Sequence, residues 1–223
     1  MSVLVVDVGT SGLRAAVVRP DGEVDALHYR PFPPSSPFPG LVEFDAPAMA
    51  AAVLEVAHAS LADAGPVAAV GITAQRASTV VWHRATGEPI GPGLGWQDLR
   101  TVIACITAKS EHGLSLAPNQ SATKVAWLLN TFDANRERDL LFGTVDTWIA
   151  WVVSGGSGPR HSRVALQICA SFSNFGSWIV LAQRLTIWRV TAGLLADQRK
   201  RPQLRIAAII GFTPMMFITR VRL

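Results

Sequence analysis

Apolar and polar positions alternate in short runs through the first thirty residues. Val3 to Val6 form a β-branched, aliphatic run that stops at Asp7, predicting a buried strand over Val3–Val8. Gly9, Thr10, Ser11 and Gly12 make a small-residue turn. Leu13, Ala15 and Val17 then restore a period of two, predicting a strand over Leu13–Arg19. Asp21-Gly22 is a tight hairpin signal before a third strand over Glu23–Tyr29. Three successive antiparallel strands are the simplest arrangement. Five prolines between Arg30 and Pro39 exclude a helix there and predict a loop. From Met49 to Ala64, alanine and larger apolar residues recur at helical spacing. Asp45 or its neighbour is the expected N-cap, Pro47 falls in the first turn, and Gly65-Pro66 ends the helix.

Further along, the spacing predicts strands over Val67–Thr73 and Val80–His83, a turn over Ala85–Pro89, and helices over Leu99–Lys109 and Ser121–Thr131. A last strand over Leu140–Thr144 leads into a helix over Asp146–Val153 that carries Trp148 and Trp151. A strand meander followed by alternating helices and strands predicts an α/β layered domain.

This order breaks at Ser154-Gly155-Gly156-Ser157-Gly158-Pro159. Up to residue 154 the chain has ten Lys/Arg and fifteen Asp/Glu; from 155 onward it has ten Lys/Arg and one acid, Asp197. A net charge of +4 therefore hides a change from −5 to +9. Val164–Ala182 and Ile206–Ile218 are apolar without a clean period, and their uninterrupted stretches fall short of the roughly 20 residues of a membrane span. We therefore divide the chain into a domain over 1–155 and a basic, apolar tail over 156–223, whose folding the pattern leaves undecided. The 223 residues, 49% hydrophobic, suffice for one good-sized core or two small ones.

Cys105 and Cys169 have no metal-ligand spacing and read as reduced, mostly buried thiols, and the five histidines form no cluster. Val3–Val6 is too short for the apolar core of a secretory signal, so the first part is expected to be cytoplasmic.

The chemistry concentrates at the first turn. A carboxylate at a strand end, Asp7, beside a glycine-rich turn suits a nucleotide: the carboxylate holds hydrated Mg²⁺, while turn N–H and hydroxyl groups meet phosphate oxygens. The segment is neither a Walker A loop nor a dinucleotide fingerprint, because no GK[ST] follows and no helix opens after the glycines. The alternative is an ordinary hairpin with its glycines at positive φ.

Six segments occur in order: DVGTSGLR (7–14), GLVEFD (40–45), GITAQRASTVVW (71–82), ATGEPIGPGLGWQDLRT (85–101), SATKVAWLL (121–129) and FGTVDTWIAW (142–151). Together they resemble the FGGY carbohydrate kinases, most closely the glycerol-kinase-like branch, over residues 1 to about 155. The resemblance implies a ribonuclease-H-like (actin-like ATPase) α/β domain with a mixed sheet. It also implies a two-domain enzyme that uses ATP and Mg²⁺ to phosphorylate a sugar or polyol hydroxyl. On that basis Asp7 organises the metal through water, and Gly9, Thr10, Ser11, Gly12 and Arg14 meet the nucleotide phosphates. Gln75, Arg76 and Asn119 fall where the family contacts its substrate. Two positions depart from glycerol kinases. Ala77 stands where they carry a glutamate after the arginine, and Asn119 where they carry a tyrosine, so another polyol or sugar fits at least as well as glycerol.

In the WQDxR element, Asp98 and Arg100 are expected to form a buried structural pair in preference to a catalytic one. Asp146 and Trp148 are expected to cap and pack. The family's base is an aspartate in a later glycine-rich motif. No residue here is assigned that role, because the Asp197-Gln198 pair lacks the surrounding motif. Residues from about 157 are therefore expected to be an out-of-frame or otherwise disrupted continuation, and the chain to be catalytically incomplete. The expected partner is a small sugar or polyol, with no nucleic acid for 1–155 and no membrane span; self-association is left open. The competing class is a non-enzymatic remnant or binding module whose basic tail contacts acidic lipid or nucleic acid.

Overall fold

The computed structural model describes residues 1–156, together with the backbone of two short strands at 164–165 and 217–219. The first three strands are β1 (Val3–Val8), β2 (Gly12–Val18) and β3 (Val24–Pro31), each antiparallel to the one before. Period two sorts their faces. Leu4, Val6 and Val8 of β1 and Leu13, Ala15 and Val17 of β2 point into one apolar core. Asp7 and Arg14 point to the opposite face, directly across from each other.

After a short strand β4 (Glu43–Phe44), helix α1 (Ala46–Ala64) lays Met49, Val53 and Val56 onto the core face. Its start follows from capping: the Asp45 carboxylate accepts from the N–H of Ala48 (2.8 Å), with Pro47 in the first turn. Gly65, at φ +81°, closes the other end by donating to the Leu61 carbonyl.

Strand β5 (Ala69–Ala74) runs parallel to β1, placing Thr73 beside Asp7 and Ala74 beside Val8. A second, antiparallel sheet has the order β4-β7-β6-β8, with β6 at Thr79–His83, β7 at Gly93–Leu94 and β8 at Leu140–Thr144. β9 (Val164–Ala165) and β10 (Phe217–Thr219) extend the first sheet, giving it the order β3-β2-β1-β5-β10-β9. Helices α2 (Val102–His112) and α3 (Ser121–Phe132) follow β7, and α4 (Val145–Val153) follows β8. Val125 and Leu128 of α3 pack with Val81, Ile90 and Leu94 in a smaller core. Trp148 of α4 joins the larger core: its ring meets Trp82 edge-on at 5.2 Å, and its Nε1 donates to the Ala46 carbonyl (3.1 Å).

Elements and expectations agree closely, with informative exceptions. The helix expected from Leu99 begins at Val102, because the residues before it are already engaged elsewhere. The N–H of Leu99 donates to the Gly40 carbonyl, and both the N–H and the side chain of Arg100 donate to Asp98. The two-residue strands β4 and β7 were not foreseen, since so short a run has no period to detect. Cys105 is buried and free, while Cys169, Asp197 and the expected disruption of the tail lie outside the described residues. Among the described residues, no helix is long and apolar enough to cross a membrane.

Candidate functional site

In the larger sheet, β1 and β5 run parallel and end together, and the N–H of Gln75 donates to the Val8 carbonyl (2.8 Å). Open α/β sheets bind ligands just beyond the carboxyl ends of such strands. The Gly9–Gly12 turn and the Gln75–Ser78 segment both sit there.

The turn closes through one backbone bond, Gly9 N–H to Gly12 carbonyl (2.9 Å). Neither glycine has a positive φ, so the ordinary-hairpin explanation for them fails. Both are glycine because of close approach. A Cβ on Gly12 would lie 2.5 Å from the Tyr29 ring, and one on Gly9 would lie 3.0 Å from the Gly12 carbonyl oxygen. The N–H groups of Thr10 and Ser11 have no acceptor within the described residues, and the exposed Ser11 hydroxyl has no partner there. Two open N–H donors and a hydroxyl beside a carboxylate form a donor set matched to phosphate oxygens.

Asp7 uses Oδ2 to accept from Arg14 Nη1 (3.0 Å), leaving Oδ1 open on a side chain 39% exposed. One free carboxylate oxygen suits a cation that keeps most of its water, as Mg²⁺ does. Among the described residues, no group of three or more His, Cys, Asp or Glu could grip a metal directly. Arg14 also lies over the Tyr29 ring, 5.1 Å from its centroid, so Asp7, Arg14 and Tyr29 form one row across three strands.

Thr10 Oγ1 accepts from Trp96 Nε1 (3.2 Å), bringing the phosphate turn against the segment after β7. Trp96 is held in turn by its own N–H, which donates to the buried Ser78 hydroxyl (2.9 Å). The Arg76 guanidinium is exposed and, like the Gln75 side chain, has no hydrogen-bond or ion-pair partner among the described residues. Asn119 is exposed in the loop before α3, and no bond joins its side chain to Gln75 or Arg76. The structure thus brings Asp7, Gly9, Thr10, Ser11, Gly12, Arg14 and the backbone of Gln75 together, with Arg76 following, and no bond among the described residues ties Asn119 to them.

Asp98 is wholly buried and fully bonded. It accepts from Arg100 Nε (2.8 Å), Arg100 Nη2 (2.8 Å) and the N–H groups of Val42 (2.7 Å) and Arg100 (3.0 Å). Burial pulls its carboxyl up, but the Arg100 guanidinium and those N–H groups outweigh it and hold Asp98 below the usual range. Arg100 also binds Glu43 (2.7 Å) and stacks 4.4 Å over the Trp127 ring. The pair is structural, as the sequence led us to expect. Asp146 is not the cap of α4, whose N-cap is Thr144; it lies in the first turn and accepts from the Thr144 hydroxyl, and burial raises its carboxyl above the usual range.

Sequence reasoning missed Lys124. It is fully buried, with Nζ donating to the carbonyls of Gly95 (2.7 Å) and Ala77 (3.4 Å). The signal was available: a lysine one turn before Leu128, on the apolar face of an amphipathic helix. Trp96 stood in the WQDxR element, but its bonds to Ser78 and Thr10, like the contacts of Tyr29, had no signal because they cross from one element to another.

The mixed sheet, with its turn between paired antiparallel strands and a parallel neighbour, defines an actin-like ATPase domain of ribonuclease-H type. The same fold occurs in the glycerol kinase of Plasmodium falciparum solved with ADP, at a TM-score of 0.66 and 17% identity, covering 70% of this chain and 35% of that one. It also occurs in the gluconate kinase of Lactobacillus acidophilus, at a TM-score of 0.59 and 19% identity, covering 67% and 32% respectively. The chain belongs to the FGGY family of carbohydrate kinases, whose N-terminal domain model matches residues 2–176. That match continues past the Gly155-Gly156 turn, where the recognisable motifs stop. The chain is 42% identical over 176 residues to the glycerol kinase of Trichlorobacter lovleyi, covering 71% of this chain and 35% of that enzyme. It is 39% identical over 172 residues to the glycerol kinase of Aromatoleum aromaticum, covering 70% and 35%. The chain therefore spans about a third of the length of the curated relatives it matches.

Proposed function

We propose that this chain supplies the phosphate turn and one acceptor-binding edge of an ATP-dependent sugar or polyol kinase. The observation that carries the reading is the turn itself: open N–H groups at Thr10 and Ser11 beside the partly exposed Asp7 carboxylate, at the shared end of two parallel strands. When bound, Mg-ATP supplies the phosphoryl group and the cation that draws charge from it. Asp7 Oδ1 orients water on the cation. The Thr10 and Ser11 N–H groups and the Ser11 hydroxyl hold phosphate oxygens, and Arg14 adds positive charge beside them. Gln75 and Arg76 face an acceptor through unpaired donors, and an arginine fork can reach two adjacent hydroxyls. Asn119 joins them only if the loop before α3 turns towards the acceptor. Ala77 offers no carboxylate there, which favours an acceptor other than glycerol. We assign that reaction to the cytoplasm, where ATP and Mg²⁺ are both supplied.

Among the described residues, the carboxylates nearest the turn are engaged elsewhere, and no general base is assigned to them. Near the turn, Asp7 is paired with Arg14, while Asp98 and Glu43 are both bound to Arg100. Asp98 and Glu43 are thereby occupied, and the open Oδ1 of Asp7 is assigned to the hydrated cation. Residues 1–223 should accordingly bind Mg-nucleotide without appreciable phosphoryl transfer. Calorimetric titration with Mg-ADP should show saturable binding that Asp7→Asn and removal of Mg²⁺ both weaken by about tenfold or more, the loss of one charge-assisted contact. Identical titrations for the wild type and Asp7→Asn would refute the assignment.

A further inference from the structure

Lys124 is a cation with no carboxylate bonded to it, held entirely within the fold. Burial pushes its ammonium down to about 8, partly opposed by the Asp98 carboxylate. A methionine or leucine would fill the same space at lower cost. What the amine does is bond two carbonyls, and both border the acceptor edge. Gly95 immediately precedes Trp96, whose indole reaches Thr10 of the phosphate turn. Ala77 immediately follows Arg76 and sits at φ +62°, a left-handed conformation that an alanine rarely adopts. Such strain persists only where the surroundings over-determine it. Here the Ala77 carbonyl accepts from both Lys124 Nζ (3.4 Å) and Thr79 Oγ1 (3.2 Å).

We propose that Lys124 is a positioning residue: by bonding the Gly95 and Ala77 carbonyls together from α3, it holds Trp96 and the Arg76–Ala77 turn in register with the phosphate turn. As a role in acceptor binding, this rests on the reading given above. The clamp itself is a statement about geometry and is testable without any ligand. Lys124 touches neither nucleotide nor acceptor; it acts through Trp96 and Ala77. The other fixings of that segment are the Trp96 N–H bond to Ser78, its indole bond to Thr10, the Gly95 N–H bond to the Val42 carbonyl (2.8 Å) and the Asp98 N–H bond to the Gly95 carbonyl (3.1 Å). Removing the Lys124 amine leaves the Gly95 carbonyl held by the Asp98 N–H and the Ala77 carbonyl by Thr79 Oγ1, without the amine that joins the two.

The test reads the indole N–H resonance of Trp96 in the ¹⁵N-labelled chain of residues 1–223, assigned by its loss in Trp96→Phe. Thr10→Val supplies the position of that resonance without its hydrogen bond. In Lys124→Met, the Trp96 signal should move towards its Thr10→Val position, while the core indoles of Trp82 and Trp148 stay in place. Lys124→Gln, a neutral donor too short to span both carbonyls, should do the same and serves if Lys124→Met does not fold. An unmoved Trp96 signal, or an equal shift of all three indoles, would overturn the proposal. The exposed Lys109→Met should leave all three unchanged. Failure of the wild-type chain to bind any polyol would instead count against the acceptor reading and leave the indole result standing.

Discussion

Asp7, Arg14 and Tyr29 lie side by side on three strands, so the nucleotide turn is built from cross-strand pairs as much as from its own residues. The Asp7–Arg14 pair is exposed and contributes little stability, within about 1 kcal/mol. Asp7→Asn should therefore leave the urea midpoint almost unchanged while weakening Mg-nucleotide binding, a separation that marks a site residue. Gly12 behaves differently. Its glycine is required by the Tyr29 ring, so Gly12→Ala should displace that ring from Arg14 and cost about 1–3 kcal/mol. Tyr29→Ala in the same chain should recover most of that loss, which denaturant melts of the single and double variants would measure. The sequence showed that the turn carries glycines; the positive-φ alternative does not hold for them, and the ring that excludes a side chain at Gly12 was not legible because it belongs to another strand.

Lys124 adds a pH signature. Burial holds its folded pKa at about 8, below the 10.5 of a solvated lysine. Between those values the unfolded chain binds the proton and the folded chain does not, so stability rises with pH across that window. The gain should approach about 3 kcal/mol at most. Urea midpoints followed across that window should climb more steeply in the wild type than in Lys124→Met; equal slopes would contradict the burial.

At the scale of elements, β1, β2, α1, β5, β6, α3, β8 and α4 were legible because each carries a full period of apolar positions or a cap. The Asp45 cap and the Gly65 stop are where the sequence placed them. What was not legible is the joinery between elements. β4 and β7 exist because Glu43 and Phe44 pair with Leu94 and Gly93, which lie far along the sequence. Arg100 secures the same corner by joining Asp98 to Glu43 under the Trp127 ring. Arg100→Met would strand the buried Asp98 carboxylate and should cost about 3–5 kcal/mol, visible as a large loss in thermal midpoint. Arg84→Met, which breaks only the exposed pair with Asp139, should cost less than about 1 kcal/mol.

For the whole molecule, a core on one face of the sheet leaves the ends of β1 and β5 and the Trp96 segment to form one edge of a site. Among the described residues, that edge has donors for phosphate and acceptor and one open carboxylate oxygen, Asp7 Oδ1, which is assigned to the cation; binding without turnover is therefore the expected behaviour. A coupled assay with Mg-ATP and a panel of polyols and sugars should find no acceptor-dependent ADP release at ordinary enzyme rates. The central claim, that Gly9–Gly12 receives nucleotide phosphate under the control of Asp7, is tested most directly by titrating Mg-ADP into ¹⁵N-labelled chain. The Thr10 and Ser11 amide resonances should shift and saturate with Mg²⁺ present, and fail to do so in Asp7→Asn. Saturating shifts elsewhere with those two amides unmoved would contradict the account.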